Sequence, residues 1–304
     1  MEKILIIYHR IDFDGLCCMS VIRHWAQKNN IQADLAGYNY TDNPPEIPQS
    51  YDWVFVADCC LPTEEMLRLH NEGVLVWIDH HATSIQESNL KGFSTCPGIR
   101  KEGYGACEMC WELLFPGKEL PLLIKLLSAY DTWDKNRLDW EGETLPFQYG
   151  LRNRIGLDRE KFFCLFESQV DGMEDTDTVS EIIKEGSGLI KYIRNSGRNA
   201  CKNYAFEVTL DRQLKGLAML TSQFGALQME ESVHESGCQV AVCINKSNDT
   251  EDYVVSVYAC GTDIGDFNIG AYMKNHYRGG GHRSAARGRL THEEFLRLMN
   301  KHKL

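Results

Sequence analysis

No stretch of this sequence stays apolar over the roughly 20 residues that a membrane-spanning helix needs. The opening "MEKILIIYHR" has too short an apolar run to read as a secretory leader. A soluble, cytoplasmic protein is the expectation. Positive charge is also in deficit: 32 Lys and Arg face 43 Asp and Glu, a formal net charge of −11. Long nucleic acid is gripped by many cations that neutralise phosphates, so a charge-driven track along DNA or RNA is disfavoured and any phosphate chemistry must be local. Cysteine, at 12 in 304 residues, is too sparse for a disulfide-built secreted scaffold. Cys107 and Cys110 form a CxxC, yet "YGACEMCWELLF" reads as an apolar helix and no second pair stands at zinc-ribbon spacing. With the adjacent pairs Cys17-Cys18 and Cys59-Cys60, they are read as small, reduced core residues. Internal repeats and low-complexity segments are absent as well.

What is present is alternation. "KILIIYH" reads as a strand, Gly15 to Asn29 as a helix, "IQADLAGY" and "WVFVAD" as strands, "PTEEMLRLHNEG" as a helix and "VLVWID" as a strand. That order predicts an α/β fold with a parallel sheet, in which ligands gather beyond the carboxyl ends of the strands. Helices follow at Gly105 to Leu114 and Leu120 to Tyr130, then a less periodic stretch to about Gly172. A long helix near Thr178 to Asn199 joins this half to a smaller mixed α/β half with short strands "FEVTL", "GLAML", "CQVAVCI" and "YVVSVYA" and a helix around Ile264 to Asn275. The expected layout is a catalytic domain over 1–175, a connecting helix over 176–200 and a second domain over 201–304.

The strand ends carry an unusual set of groups. "HRIDFDG" supplies His9, Asp12 and Asp14; "VFVADCC" supplies Asp58; "WIDHHAT" supplies Asp79, His80 and His81; a helix end, "SAYDTWD", supplies Asp131. Each has an ordinary explanation by itself, such as Asp14 capping the helix at Gly15. Together they do not, because several carboxylates meeting at one point repel one another and lose hydration unless cations neutralise them. Mixed Asp and His donors suit Mn²⁺ or a similar divalent ion, and a pair of such ions could clamp an in-line attack of hydroxide on phosphorus. Near the other end, Lys274, Arg278, Arg283, Arg287 and Arg289 fall in a stretch without acidic residues between Asp266 and Glu293. Gly279, Gly280 and Gly281 would let backbone N–H groups approach an anion there, beside His282 and Arg283.

In these motifs the sequence resembles the DHH phosphoesterase superfamily, which includes RecJ-type exonucleases, nano-RNA oligoribonucleases and manganese pyrophosphatases. "DHH" after a strand, a preceding "DxDG", an isolated strand-end Asp and a following "DT" carry the resemblance, and "RGGGHRSAARG" is similar to the GGGH signature of the DHH-associated substrate domain. The resemblance implies two divalent ions, with Mn²⁺ expected. His9 and Asp12 would hold one, Asp14, His80 and Asp131 the other, and Asp58 would bridge them. His81 would contact the scissile phosphate or the leaving oxygen, and Asp79 would orient a histidine. In the oligoribonuclease and pyrophosphatase branches the histidine usually precedes the first Asp by four positions; His9 precedes Asp12 by three. Arg278, Gly279, Gly280, Gly281, His282 and Arg283 would hold a substrate phosphate across from the ions. Tyr104 of "EGYGACE" would stack on a base, with phosphate at the start of the helix that follows.

The implied activity is metal-dependent hydrolysis of short oligonucleotides, dinucleotides or 3′-phosphoadenosine 5′-phosphate. Cyclic-dinucleotide phosphodiesterase and exopolyphosphatase are the nearest rivals among enzymes. A nucleotide-binding regulator without turnover is the alternative of another class, and a homodimer is left open.

Overall fold

The computed structural model describes residues 2–170, 176–210, 214–222, 224–260 and 263–301. They form two compact units, Met1–Leu189 and Ile190–Leu304. The expected end of the less periodic stretch near Gly172, and the domain boundary at 175, fall outside the described residues.

The first unit begins β1 (Lys3–His9), α1 (Phe13–Lys28), β2 (Gln32–Tyr38), β3 (Trp53–Ala57), α2 (Thr63–Asn71) and β4 (Leu75–Ile78). All the strand pairings are parallel, in the order β2-β1-β3-β4. A strand covered on both faces reads as a near-continuous apolar run, which accounts for "KILIIYH". Its alternate residues feed two cores. Ile4, Ile6 and Tyr8 pack with Phe13 and Leu16 of α1, while Leu5 and Ile7 pack with Val54, Val56, Trp77 and the α2 residues Met66 and Leu69. The register pairs Tyr8 with Ala57 and Ala57 with Ile78. The next residue of each strand, His9, Asp58 and Asp79, therefore falls in a row along one sheet edge.

α3 (Ala82–Lys91), α4 (Ala106–Leu114) and α5 (Leu122–Asp131) follow, then a π-helical turn at Trp140–Thr144, α6 (Leu145–Ile155), α7 (Arg159–Val170) and α8 (Thr176–Tyr204). The stretch after α5, read as less periodic, is thus largely helical. α6 buries Leu145, Phe147, Gln148, Gly150 and Leu151, a face too broad to show as an apolar stripe at helical spacing. α8 covers the segment expected to join the two halves and runs on to Tyr204; the compact units divide within it.

The second unit adds β5 (Phe206–Leu210), β6 (Leu214–Leu220), α9 (Ala226–Glu235), β7 (Val240–Lys246), β8 (Tyr253–Ala259), α10 (Ile269–His276), β9 (Gly280–Gly281), β10 (Ala285–Leu290) and α11 (His292–Lys301). Its sheet is mixed, in the order β5-β6-β7-β8-β10-β9, with β6 and β7 parallel and the other pairs antiparallel. Period two is visible again: Val240, Val242 and Ile244 face a core with Ile269 and Met273 of α10, and Ala241 and Cys243 face one with Met229 and Val233 of α9. No helix among the described residues is long and apolar enough to cross a membrane.

Candidate metal centre

α1 starts two residues earlier than expected, and this changes the roles of its two aspartates. Asp12, not Asp14, is the cap: its Oδ1 accepts from the Gly15 N–H at 2.9 Å. Asp14 lies inside the first turn, where its carboxylate accepts from the N–H groups of Ala106 and Cys107 at 2.7 and 2.9 Å. Those two groups open α4, so the N-terminal donors expected to meet substrate phosphate hold Asp14 instead. The physical reason is that a buried carboxylate satisfies free helix N–H groups more completely than solvent does. Gly105 just before them donates to Ser128 Oγ of α5, which in turn donates to Glu108, and Arg137 clasps Glu108 with two bonds of 2.6 and 2.7 Å.

The expected donors converge. His9 Nδ1 lies 2.6 Å from Asp12 Oδ2 and 3.7 Å from Asp58 Oδ2, so the three-residue spacing reaches. His80 Nε2 lies 3.2 Å from Asp131 Oδ2, 3.3 Å from Asp58 Oδ1 and 4.0 Å from Asp14 Oδ2. Three overlapping sets result, in each of which the donor atoms lie within 4.8 Å of one another: His9, Asp12 and Asp58; Asp14, His80 and Asp131; and Asp58, His80 and His81. No cysteine enters any such set among the described residues, and all twelve cysteines are free, with Cys17, Cys18, Cys107 and Cys110 buried in the α1 and α4 core.

Charge explains why this arrangement calls for cations. Burial, reinforced by the charges of Asp12 and Asp14, pushes the Asp58 carboxyl well above its ordinary range. Burial and the charges of Asp14 and Asp58 do the same to Asp131. Burial would push the His9 imidazole down, but Asp12 and Asp58 carry it up to about 10. His9 Nε2 is buried without a hydrogen bond, while Nδ1 lies against the carboxylates of Asp12 and Asp58. Buried polar atoms of this kind are rare unless something else binds them, and carboxylate with imidazole is the donor set of Mn²⁺-like ions. The residues could hold divalent metal, whose binding would displace the shared protons.

Asp79 is fully buried and organises the turn. Its Oδ1 accepts from the N–H groups of His80 and His81 at 2.8 and 3.2 Å and lies 2.7 Å from His81 Nδ1. The contact sets the orientation of His81 and directs its Nε2 away from Asp79. Burial pulls the His81 pKa down, yet the hydrogen bond and charge of Asp79 leave it above its ordinary value. Tyr40, which the sequence did not single out, stands over the same group, its ring centre 5.7 Å from that of His9 and 6.4 Å from that of His81.

Beside the acidic cluster lies a cavity of about 300 Å³ between α1, α5 and α6, lined by Asp12, Asp14 and Asp131 and by residues from Leu127 to Arg152. Nothing in the local sequence marks its α6 wall. Tyr104 is partly exposed and carries the ammonium of Lys101 3.6 Å above its ring centre.

In the second unit the three glycines have distinct roles. A Cβ at Gly279 would overlap the carbonyl oxygen of Arg287, and Gly281 has a φ of 146° against β10, so both are needed for the close β9–β10 pairing; Gly280 faces open space. Gly280 and Gly281 line a cavity of about 420 Å³ with Ser222, Asn245, Ser256, Tyr258 and Arg287. Arg278, His282 and Arg283 do not line it. Arg278 is drawn to Asp252 and Glu294 at 3.5 and 3.8 Å, and Arg283 donates to the Gly265 carbonyl. Among the described residues, the cation that faces this cavity is Arg287.

No family model and no curated protein matches the chain in sequence. Solved structures match it nearly end to end. A pGpG-specific phosphodiesterase from Vibrio cholerae is 14% identical with a TM-score of 0.56, over 99% of this chain and 97% of that one. An exonuclease RecJ bound to manganese is 14% identical with a TM-score of 0.52, over 98% and 88%. A DHH domain from a member of a family of ribosomal proteins is 14% identical with a TM-score of 0.55, over 100% and 88%. At such identities the shared property is the fold.

Proposed function

Since the chain has the fold of the DHH phosphoesterase superfamily, we propose that it is a divalent-metal-dependent phosphoesterase acting on small phosphate esters, with short oligonucleotides and dinucleotides as the substrate class. The observation that carries the reading is the meeting of His9, Asp12, Asp14, Asp58, His80 and Asp131 in overlapping donor sets at the carboxyl edge of a parallel sheet. When bound there, two ions of the Mn²⁺ kind would activate water and neutralise the charge that develops on phosphorus. Asp58, reaching both His9 and His80, is the side chain placed to be shared. His81, oriented by Asp79, is assigned to donate toward the phosphate or the leaving oxygen. In the second unit, Arg287 and the exposed edge of Gly280 and Gly281 are assigned to bind a phosphate group.

A net charge of −11 supports a short substrate, since longer strands would gain few cationic partners. Purified protein with Mn²⁺ is to be tested on RNA and DNA of two to twenty nucleotides, 3′-phosphoadenosine 5′-phosphate, cyclic dinucleotides and polyphosphate. Fastest turnover on two to five nucleotides is expected. Preference for polyphosphate or a cyclic dinucleotide would replace the substrate class, and turnover of none would leave a nucleotide-binding regulator as the reading.

A further inference from the structure

The cavity beside the acidic cluster has walls that a metal site does not need. Phe13 and Leu127 form apolar surface, Tyr130 and Tyr149 add aromatic edges, and the remaining polar groups are Gln148 and Arg152. Gln148 is only 7% exposed, lines the cavity, and its amide has no hydrogen-bond partner among the described residues. An amide on a cavity wall presents both donors and an acceptor to whatever enters. The Arg152 guanidinium lies 5.5 Å from the Phe13 ring centre, is exposed, and has no carboxylate partner among the described residues, although 43 acidic side chains occur in the chain.

We propose that this cavity is a nucleobase site, which receives the base of the nucleoside joined to the scissile phosphate. The inference rests on the phosphoesterase reading, because the same cavity is bounded by Asp12, Asp14 and Asp131. The volume of about 300 Å³ is at the small end of ligand pockets and suits one planar ring system. Apolar and aromatic walls take the faces of the ring. The Gln148 amide, which can donate and accept side by side, matches the hydrogen-bonding edge of a base, as glutamine amides do in base recognition generally. Arg152 closes the rim, its guanidinium plane free to stack on the ring and its charge close to the phosphate. A polyphosphate would instead call for several cations, and this cavity offers one.

The test uses the full chain with Mn²⁺, reading binding by calorimetry with adenosine 5′-monophosphate, guanosine 5′-monophosphate and ribose 5-phosphate as probes. At least one nucleotide is expected to bind about tenfold or more tightly than ribose 5-phosphate, which carries the same phosphate without a base. Gln148→Met keeps the volume and removes the amide; Arg152→Gln changes an exposed side chain and guards against a folding defect in the first variant. Each is expected to erase most of the nucleotide advantage, and to lower the ratio of kcat/KM for a dinucleotide over that for an aryl phosphodiester by about tenfold. Equal binding of ribose 5-phosphate and both nucleotides by the parent, or an undiminished nucleotide advantage in both variants, would overturn the base site. Hydrolysis of dinucleotides without any base-dependent binding would overturn the cavity assignment and leave the phosphoesterase standing. Base-dependent binding without hydrolysis of any phosphoester would do the reverse.

Discussion

Asp58 occupies an unusual backbone position as well as a central one. Its φ of 58° is left-handed, a conformation that Asp tolerates better than most residues, and it turns the carboxylate at the end of β3 between His9 and His80. Asp58→Ala should therefore remove the group shared by both sets of donors. Elemental analysis should find both ions lost, and turnover should fall by at least roughly three orders of magnitude. Two tightly held ions in that variant would end the bridging assignment. His81 differs, since its Nδ1 is committed to Asp79 and its assignment is to substrate. His81→Ala should keep the metal content of the parent while turnover drops by about 100-fold or more, the scale of a lost general acid. Loss of one equivalent of metal would show that His81 is a ligand, which its proximity to Asp58 and His80 permits geometrically.

At the scale of elements, the donors depend on how α4 and α5 are locked to α1. The chain of bonds from Gly105 through Ser128 to Glu108 and Arg137 fixes the start of α4, which holds Asp14, against the helix that ends in Asp131. Burial would raise the Glu108 carboxyl, but Arg137 and Ser128 outweigh it and hold the group below the ordinary glutamate range. A depressed pKa contributes stability above the unfolded value and loses it as pH falls through the folded one. Glu108→Gln should thus cost about 1–2 kcal/mol near neutrality, with the difference from the parent shrinking below the ordinary glutamate pKa, as chemical denaturation at several pH values would show. A constant difference across that range would mean that shape, not charge, is what Glu108 contributes. Elsewhere α6 and α8 cross backbone to backbone: a Cβ at Gly186 would overlap the carbonyl oxygen of Pro146, and one at Gly150 would overlap that of Ile182. Gly186→Ala has no flexible side chain to push aside, so a loss of about 3 kcal/mol is expected despite the better helix propensity of alanine. A stabilised variant in thermal or denaturant melts would show that the crossing can relax.

For the whole molecule, the acidic cluster is a source of instability that bound cations would relieve. Asp12, Asp14, Asp58 and Asp131 sit together while burial and mutual repulsion press two of them toward protonation. Ions that bind only the folded chain stabilise it by mass action, about 2.7 kcal/mol for each at a hundred times its dissociation constant. A rise in melting temperature of roughly 5–10 °C for each Mn²⁺ bound is expected from the size of such a domain, reversed by a chelator. Differential scanning calorimetry on the full chain would read it, and an unchanged melt would mean that the cluster holds no cation.

The sequence by itself determined the parallel sheet and the edge on which chemistry would gather, because buried parallel strands announce themselves as short apolar runs and the residues that follow them share one side of the sheet. His9, Asp58 and Asp79 were legible for that reason, and "CQVAVCI" and "YVVSVYA" of the second unit were legible as short apolar runs although the latter pairs antiparallel with both its neighbours. Tertiary structure decided what periodicity and spacing do not encode. That Asp12 caps α1 and Asp14 is held by α4 depends on two helices about 90 residues apart meeting at a particular angle. Gln148 and Arg152 lie in a helix whose broad buried face hides its period, and they reach the centre only because α6 packs beside α1 and α5. Arg278 and Arg283 show the converse: a run of positive charge is visible in sequence, but which cation is spent on Asp252, Glu294 or the Gly265 carbonyl, and which is left facing a cavity, is settled by folding. Local patterns record how each segment meets solvent and core; which distant segment it meets is a property of the packed whole.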